Sequence, residues 1–174
     1  MNREHWNKAK AFHGHECPGL VIGVRACEAA VEKMGIAPAL DEELVCITEN
    51  DACGVDAVQA LAGCTLGKGN LLYNPTGKQA FTFIRRVDGR AMRFYLKAKN
   101  NGMERLQYQE YLLNAPIDEL FSCSEAEVDL PEKARIFSSV LCEKCGEAAS
   151  EHTMRLQQGK RVCLACFKEY TRGW

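Results

Sequence analysis

Three stretches of this sequence gather residue types that can hold a metal ion or act as nucleophiles. Cys142 and Cys145 lie two residues apart, and after seventeen intervening residues Cys163 and Cys166 repeat the spacing. Each pair can turn tightly enough for both sulfurs to meet one ion, and two such pairs at this separation are the pattern of a structural four-cysteine zinc site. Redox-active disulfide pairs are the competing reading, and the finger-like spacing favours zinc over them. The second stretch is His13-Gly14-His15-Glu16-Cys17-Pro18-Gly19. In an extended segment His13, His15 and Cys17 would share one face, three ligands suited to zinc or a similar ion. Loop histidines that merely cap backbone groups are the bland alternative.

The third stretch, Glu49 to Asn70, brings two cysteines, two aspartates and a lysine to one short apolar helix. Asn50 and Asp51 are good N-cap types, and Val55, Val58, Leu61 and Ala62 recur at helical spacing. Cys53 is therefore expected in the first helical turn and Cys64 just past the last. Backbone amides and the helix dipole at a first turn lower a thiol pKa, which makes Cys53 a thiolate nucleophile or ligand. Either cysteine read alone is as well explained as a small buried hydrophobe. The run Gly63-Cys-Thr-Leu-Gly67-Lys68-Gly69 invites comparison with a phosphate-binding loop. It has three residues where that motif needs four, and glycine where Ser or Thr must follow the lysine, so nucleotide binding by that motif is excluded. Lys68 still presents a cation to an anionic ligand, and Asp51 and Asp56 are further polar groups that would face a substrate.

The elements that must position these groups are partly legible. Trp6, Ala9 and Phe12 predict a short amphipathic helix from about Arg3 into the histidine cluster. Pro18 suits the first helical position with Cys17 as N-cap, and Leu20, Val21, Val24, Cys27, Val31 and Met34 form an apolar stripe stopped at Gly35. Two cysteines, Cys17 and Cys53, would thus sit at helix N-termini. Leu44 to Thr48 reads as a buried strand that delivers Glu49 to Cys53 to its C-terminal end. Alternation on both sides of Asp88-Gly89 predicts a β-hairpin. Met103 to Leu113 reads as a helix, Ile117 to Phe121 as a further helical turn, and Ala126 to Leu130 as an edge strand. In the tail, a hairpin is expected between the cysteine pairs and a helix over Leu164 to Tyr170, a treble-clef or ribbon finger.

The chain has 174 residues, 47% of them hydrophobic, enough for one core and a small appended module. Its division is expected at residues 1–139 and 140–174. A module of about 35 residues cannot stabilise itself by burial alone, so a metal must supply folding free energy. Twenty-two Lys and Arg against 23 Asp and Glu leave a net charge of -1, and no field of one sign announces nucleic acid or an anionic membrane. From Val140 onward six Lys/Arg face four Asp/Glu, a balance that permits nucleic-acid contact through the finger without arguing for it. Neither an apolar leader nor an eighteen-residue apolar run occurs, so the expected compartment is the cytoplasm, with no membrane span. There, ten cysteines read as ligands, reactive thiols or core residues.

The runs HGHECPG and ENDACGVDAVQALAGCTLGKGNL, with the AFTF strand from Ala80, closely resemble the FmdE family of formylmethanofuran dehydrogenase components over roughly residues 5 to 139. The tail resembles the zinc finger that some members carry. The resemblance implies an α+β, thioredoxin-like core with a mixed sheet of about five strands flanked by helices. It also implies a metal-binding site near the H-x-H-x-C-P-G run and a homodimer formed through the core. Its implied role is as an accessory subunit or partner of a molybdenum or tungsten formylmethanofuran dehydrogenase-type oxidoreductase. On that reading Cys17, His15, Cys53, Asp51 and Lys68 form the reactive set. His13, His15, Cys17, Cys53 and Cys64 supply the ligands of a second zinc or other divalent ion, weaker and more open than the finger's. A non-catalytic adaptor, docking protein or nucleic acid through its finger, is the alternative.

Overall fold

The computed structural model describes residues 1–173. It divides into two compact units, Met1–Ala134 and Arg135–Trp174, the second beginning five residues before the boundary suggested by the sequence. Among the described residues no helix is long and apolar enough to cross a membrane.

The larger unit opens with two helices, α1 (Arg3–His13) and α2 (Pro18–Met34). Asn2 caps α1 by accepting the Glu4 N–H at 2.8 Å. Trp6 and Ala9 are buried as expected, but Phe12 is 57% exposed. In α2 the apolar stripe holds except at Val31, which is 45% exposed. Burial spreads round the rest of this helix, taking in Gly23, Ala26, Ala29 and Ala30, because it is packed between neighbours on several sides.

The sheet takes the order β2-β1-β3-β4-β5. Strands β1 (Leu44–Thr48), β2 (Leu71–Tyr73), β3 (Ala80–Arg85), β4 (Ala91–Leu96) and β5 (Phe121–Glu125) supply it. β1 and β2 are parallel and joined by the helix α3 (Gly54–Ala62), while the other neighbours are antiparallel. A parallel pair cannot be closed by a tight turn, which is why α3 must cross between them. The fold is a mixed α+β core with a five-stranded sheet flanked by helices. Cys46, Phe81, Phe83, Met92 and Phe94 pack on one face with the buried sides of α1, α2, α3 and the later helices α4 (Arg105–Asn114) and α5 (Ile117–Leu120). Val45, Ile84 and Ala91 form a smaller cluster on the other.

The edge strand lies earlier than the sequence suggests. Leu120 and Phe121 are buried where the chain enters β5, whereas Ala126 to Leu130 carries no strand. The Ala126 N–H makes one last bond to the Ala91 carbonyl, after which the chain leaves the sheet. It is then tied down by a partly buried ion pair: Arg86 donates to the carbonyls of Pro131 and Glu132, and its partner Glu42 accepts the Ala134 N–H.

Helices α2 and α3 approach each other down to their main chains. A Cβ built on Gly23 would lie 2.6 Å from the Gly54 Cα and inside the envelope of its carbonyl oxygen. One built on Gly54 would stand 3.1 Å from the Gly19 carbonyl and 3.2 Å from Phe81. The two helices cross backbone to backbone, and only hydrogen fits at Gly23. In an ordinary helix Gly→Ala adds about 1 kcal/mol of stability. Gly23→Ala instead forces apart a packed crossing, at a cost of about 1–3 kcal/mol for overpacking. The variant is expected to show a lower urea midpoint than the parent; an equal or higher midpoint would contradict the contact.

Candidate metal centres

His13 is the last residue of α1, and Gly14 ends the helix in a left-handed turn at φ 89°, its N–H bonded to the Lys10 carbonyl. The segment is therefore not extended through His13, as simple alternation predicts. The turn brings the imidazoles of His13 and His15 to a centroid separation of 4.3 Å. Cys17 is extended and caps α2, its Sγ accepting the Leu20 N–H at 3.3 Å. Cys53 occupies the same position before α3, with helical backbone and no capping bond of its own. Because α2 and α3 cross through their glycines, these two N-caps meet. Gly19 lines the junction: a Cβ there would lie 3.3 Å from the Cys53 Cβ, 3.7 Å from its Sγ and 3.9 Å from the Cys17 Sγ.

One donor atom from each of His13, His15, Cys17 and Cys53 lies within 4.8 Å of the others. His13 Nε2 stands 3.9 Å from Cys17 Sγ. Zinc bonds of about 2.3 Å to sulfur and about 2.0 Å to nitrogen place neighbouring donors about 3.5–3.8 Å apart in a tetrahedron, so small shifts would let the four side chains enclose one ion. Cys17 is buried, His13 and Cys53 are half-buried, and His15 is exposed at the mouth of the group.

The dipole argument for a lowered Cys53 pKa does not hold in this setting. Desolvation first, then its hydrogen bond to Cys17 and the charge of that neighbour, push the Cys53 thiol up. Two thiols in contact favour a shared proton over two negative charges, and a divalent cation is the partner that would replace it.

The other residues singled out in the sequence lie elsewhere or serve the frame. Cys64 is fully buried, donates toward the Leu44 carbonyl at 3.6 Å, and is pushed up to about 12 by burial. It is not one of the grouped donors. Lys68 gives its ammonium to the Ala39 carbonyl at 2.9 Å. Asp51 is exposed, and Asp56 bonds His13 Nδ1 through Oδ2 at 2.7 Å. Glu49 and Asn50, ahead of Cys53, are braces: the Glu49 carboxylate accepts from Arg93 at 2.5 Å and from the Thr76 hydroxyl at 2.6 Å. The Asn50 amide donates to the Lys78 carbonyl and its Oδ1 accepts the Ala52 N–H. Motif spacing alone does not single out Gly19, Gly23 or Arg93, although the Gly-x3-Gly spacing in α2 is a signal of close helix approach.

The smaller unit is built on its sulfurs. Strands β6 (Ser139–Leu141) and β7 (Ala148–Ser150) flank the first knuckle, and β8 (Arg155–Gln157) and β9 (Lys160–Val162) lead into the second. Donor atoms of Cys142, Cys145, Cys163 and Cys166 lie within 4.8 Å of one another, with Cys145 and Cys163 sulfurs 3.9 Å apart. This matches the about 3.8 Å expected between sulfurs around one zinc. The backbone N–H groups of Cys145 and then Cys163 pull the Cys142 thiol down to about 6, a thiolate prepared for a cation. The helix expected over Leu164 to Tyr170 does not form. The chain makes a knuckle turn from the Cys163 carbonyl to the Cys166 and Phe167 N–H groups, and the Gln157 side chain then holds Lys168 by both its N–H and its carbonyl.

The buried cluster of this unit is only Cys142, Val162 and Cys163 among the described residues, so the metal must supply its folding free energy. Replacement of any of the four cysteines by Ser is expected to remove one zinc per chain and collapse the amide dispersion of residues 135–173, with the core resonances unchanged. Retained dispersion after complete zinc chelation would contradict this.

Comparison with known proteins gives this geometry a context. Residues 12–122 match the model of the FmdE family, described as "FmdE, Molybdenum formylmethanofuran dehydrogenase operon". Residues 135–172 match the prokaryotic dksA/traR C4-type zinc finger. A probable S-adenosyl-L-methionine-binding protein of Archaeoglobus fulgidus is 34% identical across 94% of this chain, which spans about half (52%) of that protein's length. The crystal structure of an FmdE-like protein of tungsten formylmethanofuran dehydrogenase type from Syntrophus aciditrophicus superposes with a TM-score of 0.70 at 26% identity, covering 94% of this chain and 90% of the other. The H-x-H-x-C-P-G turn and the Cys53 helix both fall inside the larger match, and the four finger cysteines inside the smaller. The chain belongs to the FmdE family and carries a C4-type zinc finger after the family domain.

Proposed function

We propose that the core is a second, functional metal centre, with His13, His15, Cys17 and Cys53 as its ligands and the finger zinc as structure. The observation that carries the reading is the convergence of two imidazoles and two thiols from separate segments of the chain. Two helices, α2 and α3, begin at this point, and the exposed donor, His15, leaves the group open to solvent. A divalent ion held there would polarise a carbonyl or activate water at a position the protein leaves open. His15 exchanging for a ligand from solution would create that position. Asp51, exposed two residues before Cys53, is an acidic group available to an incoming molecule.

The further reading is that the chain serves a molybdenum or tungsten formylmethanofuran dehydrogenase-type oxidoreductase as an accessory subunit or partner. The description of the matching family and the likeness to the Syntrophus protein support it. A homodimer through the core accompanies that reading, since the sheet ends in β2 and β5, edges that proteins usually pair or cover. Light scattering of the purified chain is expected to give twice the chain mass; a single-chain mass at micromolar concentration would contradict it.

The metal reading is tested with the full chain. The parent is expected to bind two zinc ions, one resistant to mild chelation and one lost readily, and Cys17→Ala to retain only the resistant one. Equal affinity for the second ion in parent and variant would overturn the core centre and leave a zinc-finger adaptor as the better account.

A further inference from the structure

The metal reading leaves one contact unexplained. Asp56 lies on α3, three residues after Cys53, and its Oδ2 is 2.7 Å from His13 Nδ1. The opposite ring nitrogen, Nε2, is the one that stands 3.9 Å from the Cys17 Sγ. The imidazole thus has its two nitrogens turned to two different partners, a carboxylate on one side and the donor group on the other. Its side chain is only 10% exposed, so neither nitrogen is left to bulk water.

We propose that Asp56 is the positioning residue of the core metal centre, holding the His13 proton on Nδ1 so that the bare Nε2 faces the ion. The inference rests on the reading of the core as a metal site. A histidine can bind a metal only through a nitrogen free of its proton, and which nitrogen is free is set by the hydrogen bond made by the other. A carboxylate can only accept here, so Nδ1 must donate. The carboxylate is itself held: Gln59, one turn further along α3, donates to Oδ1 at 3.2 Å. The same helix therefore delivers one ligand, Cys53, and the group that orients another, His13. A shift of α3 would move both together. The ion pair as mere tether between α1 and α3 is the competing role, and it makes no demand on where the imidazole proton sits.

The test uses the full chain, with the finger zinc retained, and compares the parent with Asp56→Ala, Asp56→Asn and Cys17→Ala. Competition titration with zinc is expected to show the core affinity falling about 10- to 100-fold in Asp56→Ala. Asp56→Asn, whose amide oxygen can still accept from Nδ1, is expected to fall less and guards against a variant that fails to fold. Long-range proton–nitrogen correlation spectra, taken before core metal is added, are expected to show His13 protonated at Nδ1 in the parent and shifted toward Nε2 in Asp56→Ala. Parent-like affinity in Asp56→Ala beside a weakened Cys17→Ala would overturn the role of Asp56 while sparing the metal site. So would a weakened Asp56→Ala with the His13 tautomer unchanged, which is the behaviour of a tether. Parent-like affinity in Cys17→Ala would instead overturn the metal reading itself.

Discussion

The backbone contact between Gly23 and Gly54 is the constraint on which the core site depends. Helices normally keep their axes about 8–10 Å apart because side chains stand between them. Here a Cβ at Gly23 would overlap the backbone of Gly54, so α2 and α3 approach as closely as main chain allows. The consequence is felt at the helix starts. Cys17 and Cys53 begin the two helices, and the crossing brings both thiols into one group with Gly19 cleared of any side chain beside them. Larger residues at these glycines would separate the thiols before they altered the rest of the sheet.

The two groups of donors are assembled by different means, and that difference bears on what each can do. In the finger all four sulfurs come from two knuckles, each a local turn, and little else is buried. Such a unit has no stable reason to persist without its ion. In the core the donors hang from α1, the α1–α2 turn, and the starts of α2 and α3, all anchored in a cluster that includes Phe81, Phe83 and Phe94. That frame stands on its own apolar burial, so the ion can come and go without unfolding it. A site that tolerates exchange can bind and release a substrate; a site that is the fold cannot.

Much of this arrangement is legible in the sequence, and the misses share a cause. Pro18 and Gly35 bound α2, and Asp88-Gly89 marks the hairpin, because those signals are local in the chain. The finger cysteines are legible for the same reason. A helix over Leu164 to Tyr170 is wrongly expected because Gln157, eleven residues away, captures Lys168. A strand over Ala126 to Leu130 is wrongly expected because the sheet edge is set by burial of Leu120 and Phe121, which sequence alternation cannot see. In the core, alternation puts His13 and Cys17 on one face of an extended segment. They meet instead through the left-handed turn at Gly14. Cys64 offers the right chemistry, but it lies buried against the Leu44 carbonyl. Choosing between Cys53 and Cys64 needs the path of α3, and that path depends on a contact between Gly23 and Gly54, glycines far apart in the chain.

The central claim is that the crossing of α2 and α3 completes a metal site distinct from the finger. Crystals grown with excess zinc and measured on both sides of the zinc absorption edge test it directly. The account predicts two anomalous peaks per chain, one among Cys142, Cys145, Cys163 and Cys166 and one among His13, His15, Cys17 and Cys53. A peak in the finger alone, with the core donors clearly placed and no density between them, would contradict it.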